Sequence, residues 1–276
     1  MANIGATTAF YKVETSLTRA NQEVSKSMER LASGKANANA GDRSSYVAMA
    51  DTFRMDFAGT KAGIKSAGVV LGYLETGMRV IDAASALVSR IQELAVLGGN
   101  ATNTTEDNDA IDAEATALGT ELERLLTDAD YKGQSVFTTS SQAQEVVIGG
   151  RGMAMNFGIT DLTTNTAITG LVSGGALGAD PSDGGTNLTS LVEAAQIALN
   201  TARVEAGSAY AAIESAMNYI TDLTAQYELG YNIVNDVNFS METAHLAKNQ
   251  ILQQAATAML AQANQGQQGL LALVQR

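Results

Sequence analysis

The chain has 276 residues, of which 45% are hydrophobic and 17% charged, with one proline, one histidine, no cysteine, no tryptophan and a net charge of -12. An acidic balance without any cluster of Lys and Arg argues against a nucleic-acid partner, whose phosphates demand clustered cations. The lack of cysteine excludes disulfides and thiolate metal sites, and the scarcity of proline permits very long uninterrupted helices.

The first segment repeats apolar residues at alternating spacings of four and three: Ala6, Phe10, Val13, Leu17, Ala20, Val24, Ser27 and Leu31. This is a heptad helix, and Gly34 supplies its stop. No basic n-region or continuous apolar run precedes it, so no cleavable signal peptide is expected. Lys35 to Ser45 loses the apolar period and reads as a loop in which Asp42 or Ser44 could cap the next helix. From about Ser45 to Leu97 the heptad phase returns through Ala50, Phe53, Phe57, Thr60, Ile64, Ala67, Leu71, Leu74, Met78, Ile81, Ser85 and Val88. A helix of that length spans roughly 80 Å, and a sustained 3.5-residue period implies left-handed coiled packing.

Gly98-Gly99-Asn100 ends this helix, and Thr104-Thr105-Glu106-Asp107 opens another, with acidic residues in the first turn and a stripe of Ile111, Ala115, Leu118, Leu122 and Leu125. The period then shortens. Glu145 to Ile148 and Met153 to Phe157 read as two strands joined at Gly149-Gly150-Arg151-Gly152. Thr160 to Thr189, rich in Thr, Gly, Ser and Asp and holding Pro181, reads as loop or a small β excursion.

Helical spacing resumes near Ser190 and holds through Val192, Leu199, Ala206, Ile213, Ile220, Tyr227, Val234 and Met241, with a weak point between Glu228 and Ser240. The last segment carries Leu252, Ala256, Met259, Ala263, Gly266, Leu270 and Leu273 on one stripe, and no charged residue stands from Asn249 to Gln275. Helices bathed in water carry Lys and Glu on the free face, so this one reads as surrounded by protein. Its apolar runs are far shorter than the roughly 20 residues of a membrane span, and no membrane insertion is expected. The chain goes out along helices, turns through a small β-rich tip and returns along helices. The fold class is mainly α: a long antiparallel helical bundle or coiled coil formed by both chain ends, with a small β-rich insert.

Catalytic constellations are thin. Glu242 and His245 make a Glu-x-x-His pair, but di-iron bundles need two copies and further carboxylates. Asp128 to Gly133 mimics the start of a calcium loop, yet Lys132 stands where a ligand oxygen belongs and no Glu closes the loop at Thr139, so a plain turn is the reading. Gly149 to Gly152 opens no helix after a strand and is not a phosphate loop. Nucleophile schemes lack a thiol or a plausible base. No enzyme activity, metal or cofactor is expected.

Certain motifs resemble those of a known family. Met28-Glu29-Arg30-Leu31-Ala32-Ser33-Gly34 with Asn39 to Asp42, Arg90-Ile91-Gln92-Glu93-Leu94-Ala95-Val96, Asn249 to Ala255 and Leu260 to Gln265 resemble the end signatures of bacterial flagellins, and the likeness covers about 1–137 and 190–276. It implies a structural subunit that polymerises into a flagellar filament for swimming motility. Residues 1–44 with 240–276 would form a terminal coiled-coil domain lining the filament core, 45–137 with 190–239 a helical bundle domain carrying the hairpin near 144–157, and 138–189 a short outer insert. The resemblance also implies a helical homopolymer, export without a cleaved signal through the flagellar type III apparatus, chaperone, junction and cap proteins as partners, and an extracellular filament. The expected assembly interface is Phe10, Val13, Leu17, Val24, Leu31, Leu252, Ala256, Met259, Ala263, Leu270 and Leu273. Alternative functions are a hook-filament junction protein of the same superfamily and a secreted soluble helical adhesin or ligand.

Overall fold

A computed structural model describes residues 8–39, 41–172 and 186–274. Among these, six helices run in the order α1 (Thr8–Ser33), α2 (Ser44–Gly98), α3 (Thr105–Thr127), α4 (Thr166–Val172), α5 (Thr186–Asn235) and α6 (Phe239–Val274). Four short strands lie between α3 and α4: β1 (Asp130–Tyr131), β2 (Gln134–Ser135), β3 (Gln144–Val147) and β4 (Ala154–Phe157). The described residues divide into two units, one reaching up to Met55 and resuming at Gln226, the other spanning Asp56–Ala225.

Element ends follow local chemistry. Gly34 takes a left-handed φ of +71° after α1, and its N–H donates to the Arg30 carbonyl at 2.9 Å. α3 opens with a capping box: the Thr104 hydroxyl accepts from the Asp107 N–H at 3.2 Å, and the Asp107 carboxylate accepts from the Thr104 N–H at 3.0 Å. The Thr104 N–H and the Thr104 hydroxyl, at 2.8 Å, both donate to the Asp107 carboxylate and hold its pKa below the ordinary value. The turn read between Asp128 and Gly133 is the link of β1 to β2, with Lys132 at φ +56° and Gly133 at +78°, the left-handed pair a two-residue hairpin turn uses.

The unit Asp56–Ala225 holds the main core. Leu74, Ile81 and Ile91 of α2, Leu122 and Leu126 of α3, and Leu199, Ile213 and Ile220 of α5 are almost fully buried together. Every heptad position foreseen in α2 is buried or half-buried. α2 also buries a second track, Gly63, Val70, Tyr73, Gly77 and Ala84, and the β segments pack on part of it. β3 and β4 pair antiparallel with Gln144 opposite Phe157 and Val147 opposite Ala154, as the sequence implied. Their connection docks on the start of α2 in this unit, where the Arg151 guanidinium reaches the buried Asp56 carboxylate through two bonds of 2.7 and 3.1 Å.

One reading is corrected. Thr160 to Thr189 was expected to be loop or β, but Thr166–Val172 is helix α4 and α5 already begins at Thr186. Asn165 caps α4 by accepting the Ala167 N–H at 3.0 Å, and Ile168 and Leu171 are buried in the core. Tertiary burial thus overrides the weak helix propensity of a Thr- and Gly-rich run. Pro181 lies outside the described residues.

Tyr73 carries a test of this core. Its ring meets Tyr131 and Phe157 edge-on, and its hydroxyl donates to the carbonyls of Ser135 and Val136 at 2.9 and 2.7 Å. Burial pushes its pKa from 10.0 up to about 12. A phenol whose folded pKa is raised contributes stability that is complete below pH 10 and is lost as pH rises towards 12. Denaturation of the parent chain and Tyr73→Phe should therefore show a stability gap of about 1–3 kcal/mol at neutral pH, from the lost hydrogen bond, that narrows above pH 10. A gap independent of pH would contradict the assignment.

In the other unit, the helix breaks at 34–43 and 236–238 face each other. The Ala36 N–H donates to the Asn235 carbonyl at 2.7 Å and the Val237 N–H to the Gly34 carbonyl at 3.0 Å, so each interruption satisfies backbone groups freed by the other. The weak point read between Glu228 and Ser240 is this break. Heptad phase does not survive it: Met241, expected to continue the α5 stripe, is 62% exposed.

Candidate functional site

α1 and α6 lie antiparallel, and their contact can be read residue by residue. On α1 the inward track is the one read from the sequence: Ala20, Val24 and Ser27 are buried, while Phe10, Val13, Leu17 and Leu31 are half-buried. On α6 the inward track is Leu246, Asn249, Gln253, Ala256, Leu260 and Ala263, at alternating spacings of three and four. Two of these six are amides. The Gln253 side chain donates to Asn21 Oδ1 at 2.7 Å, tying the two helices at one level.

This divides the α6 stripe expected from the sequence. Ala256 and Ala263 belong to the seam with α1, whereas Leu252 is 49% and Met259 51% exposed. They stand seven residues apart on the outward side with Ile251, 65% exposed, beside them. The side chains of Leu270 and Leu273, and all of Ala6, lie outside the described residues. The reason for the split is the breadth of the apolar surface: Leu246 and Leu260 take the α1 side, and the small Ala256 and Ala263 let the helices approach, leaving the bulky Leu252 and Met259 on the far flank. Leu246 and Leu260 were missed because the sequence shows two interleaved heptad tracks and a single stripe was drawn through them.

Near the base of the pair, the Arg30 guanidinium lies 4.0 Å from Asp42 and 3.9 Å from Glu242. Asp42, considered as a helix cap, thus faces Arg30. Glu242 turns to the same cation, and His245 is exposed. No group of three or more His, Cys, Asp or Glu among the described residues is placed to hold a metal ion. No helix among the described residues is long and apolar enough to cross a membrane.

An antiparallel pair of terminal helices in a mainly helical chain is what the end motifs imply, and family comparison decides the matter. Residues 5–142 match the bacterial flagellin N-terminal helical region and residues 189–274 the bacterial flagellin C-terminal helical region. The chain belongs to the bacterial flagellin family. The flagellar filament 33 kDa core protein of Treponema phagedenis is 26% identical, over 95% of this chain and 96% of its own. A flagellin of Halalkalibacterium halodurans is 25% identical over 90% of this chain and 91% of its own. The crystal structure of Bacillus cereus flagellin aligns with 56% of this chain and 88% of its own, at 19% identity and a TM-score of 0.45. This flagellin is a structural subunit of the flagellar filament, and its family is one of structural proteins.

Proposed function

We propose that this flagellin polymerises through the outward track of α6, and that the seam between α1 and α6 orients that track. Phe10, Val13, Leu17, Val24 and Leu31 hold α6 from within, Ala256 and Ala263 close the pair, and Leu252 and Met259 meet neighbouring copies. By seven-residue spacing Leu273 continues the outward track and Leu270 the inward one. The terminal helices line the filament core, and the insert at 138–189 faces outward. The subunit has no catalytic role. It leaves the cell through the flagellar type III apparatus with chaperone, junction and cap proteins as partners, and the extracellular filament drives swimming.

The observation that carries this reading is the exposure of Ile251, Leu252 and Met259 on a helix without a charge between Asn249 and Gln275. An apolar, neutral face stacks against identical copies without like-charge repulsion. In the free chain α6 buries only Ala256 fully among its described residues, so its local stability is small. Amide hydrogen exchange over 246–263 should be fast in the free chain and slowed at least a hundredfold after polymerisation. Equal exchange in the two states would remove α6 from the assembly contact.

A further inference from the structure

Within Asp56–Ala225 every arginine is ion-paired: Arg79 with Glu75, Arg90 with Glu93 and Glu114, Arg124 with Glu121 and Asp128, Arg151 with Asp56, and Arg203 with Asp82. Two lysines of α2 differ. Lys61 and Lys65 stand one turn apart, exposed, with no carboxylate within ion-pair reach among the described residues. Val69, 46% exposed, continues their track one turn on, and the exposed Ala58, Ala62 and Gly68 keep the surface around it low.

The same unit carries the complementary shape. A groove of about 300 Å³ runs beside α5, walled by Leu162, Ile197, Ala198 and Thr201, with the carboxylates of Asp161 and Glu205 on its lining. Ile197 is 66% exposed, and Val204, next to Glu205, is 71% exposed. Neither carboxylate has a cation within ion-pair reach among the described residues. Both are held by neutral donors: Glu205 accepts the Thr160 N–H at 3.1 Å, and Asp161 accepts the Thr163 N–H at 2.8 Å and hydroxyl at 2.7 Å. An aliphatic wall ending at fixed carboxylates fits a lysine, which lays its four-carbon stem along apolar surface and keeps its ammonium on the charge.

We propose that the α2 face bearing Lys61, Lys65 and Val69 docks on the Asp161/Glu205 groove of a second copy of the chain. The occupant is a second copy because both halves of the match lie on this one chain, as distinct surfaces. Such a contact is heterologous: each copy that docks leaves one face and one groove free, and the association propagates. It also places cations on carboxylates between subunits that each carry a net charge of -12 and would otherwise repel. The inference rests on the filament reading above and adds a second contact to it, remote in sequence from α6.

The chain has no cysteine, so engineered thiols report without background. Lys65→Cys/Thr201→Cys, polymerised and then oxidised, should give a ladder of covalent multimers on a denaturing gel, and neither single variant should. Lys65→Glu should raise the concentration needed for polymerisation at least tenfold, and Lys65→Glu/Glu205→Lys should bring it back towards that of the parent. Filaments of the double-cysteine variant that yield only monomer, or dimers from Lys65→Cys alone, would overturn this contact and leave the filament reading standing. A parent chain that forms no filaments would overturn both.

Discussion

Leu252→Asp should abolish filament formation and leave the isolated chain as helical as before. Leu252 is half exposed, so a carboxylate there stays in water in the free subunit and costs little. In the proposed contact between copies the same position would be enclosed. The substitution forfeits the burial of a leucine, about 1.5–3 kcal/mol, and leaves an unpaired charge in an apolar contact, which costs several more. At 1.4 kcal/mol per factor of ten, the concentration needed to polymerise should rise more than a hundredfold. Met259→Asp should behave alike. Val24→Asp is the contrasting case, because Val24 is 8% exposed within the α1–α6 seam and its loss should lower helicity in the free chain as well. Sedimentation after salt-induced assembly, with far-ultraviolet circular dichroism on the free chains, separates the two. Normal pelleting of Leu252→Asp would take the outward track out of the assembly surface.

The second large effect concerns Gly63. A methyl group at this α2 position would lie inside the van der Waals surface of the Ile148 carbonyl, just after β3. The obstacle is backbone and cannot swing aside, so α2 and the β3–β4 hairpin must part. Alanine gains about 1 kcal/mol over glycine in a helix, while overpacking costs about 1–3 kcal/mol and more where backbone must move. With backbone as the obstacle the cost lies at or above the top of that range, so the clash wins and Gly63→Ala should destabilise the chain by about 2 kcal/mol net or more. Gly207→Ala is the control: nothing lies within 4 Å of the added atom, so it should be neutral or stabilise by up to about 1 kcal/mol. Thermal melts of the two variants decide it. Equal stability would mean the hairpin does not sit tightly on α2.

Long helices were legible because their signals are redundant. The α2 stripe repeats for more than ten positions, acidic residues crowd the first turn of α3, and Gly34 supplies the stop of α1. The hairpin was legible from its glycines. α4 was not, since seven residues give too few turns for a period, and Ile168 and Leu171 gain their helical state only from a core assembled by distant segments. Tyr73 and Gly63 were invisible for a related reason: they serve a second face of α2, and one heptad list records one face. The candidate site was half legible. The α1 track of Phe10, Val13, Leu17, Val24 and Leu31 lies as the spacing implied. On α6 the amides Asn249 and Gln253 occupy inward positions that an apolar pattern cannot flag, so Leu252 and Met259 were grouped with Ala256 and Ala263 on one face although the fold turns them to two.

The most direct measurement is electron microscopy of the purified chain in negative stain after adding ammonium sulfate, which strengthens apolar burial by exclusion from protein surfaces. Long uniform tubes are the expected result, present in the parent and absent in Leu252→Asp. Rings, short stubs or discrete particles from the parent chain would contradict a filament built on α6.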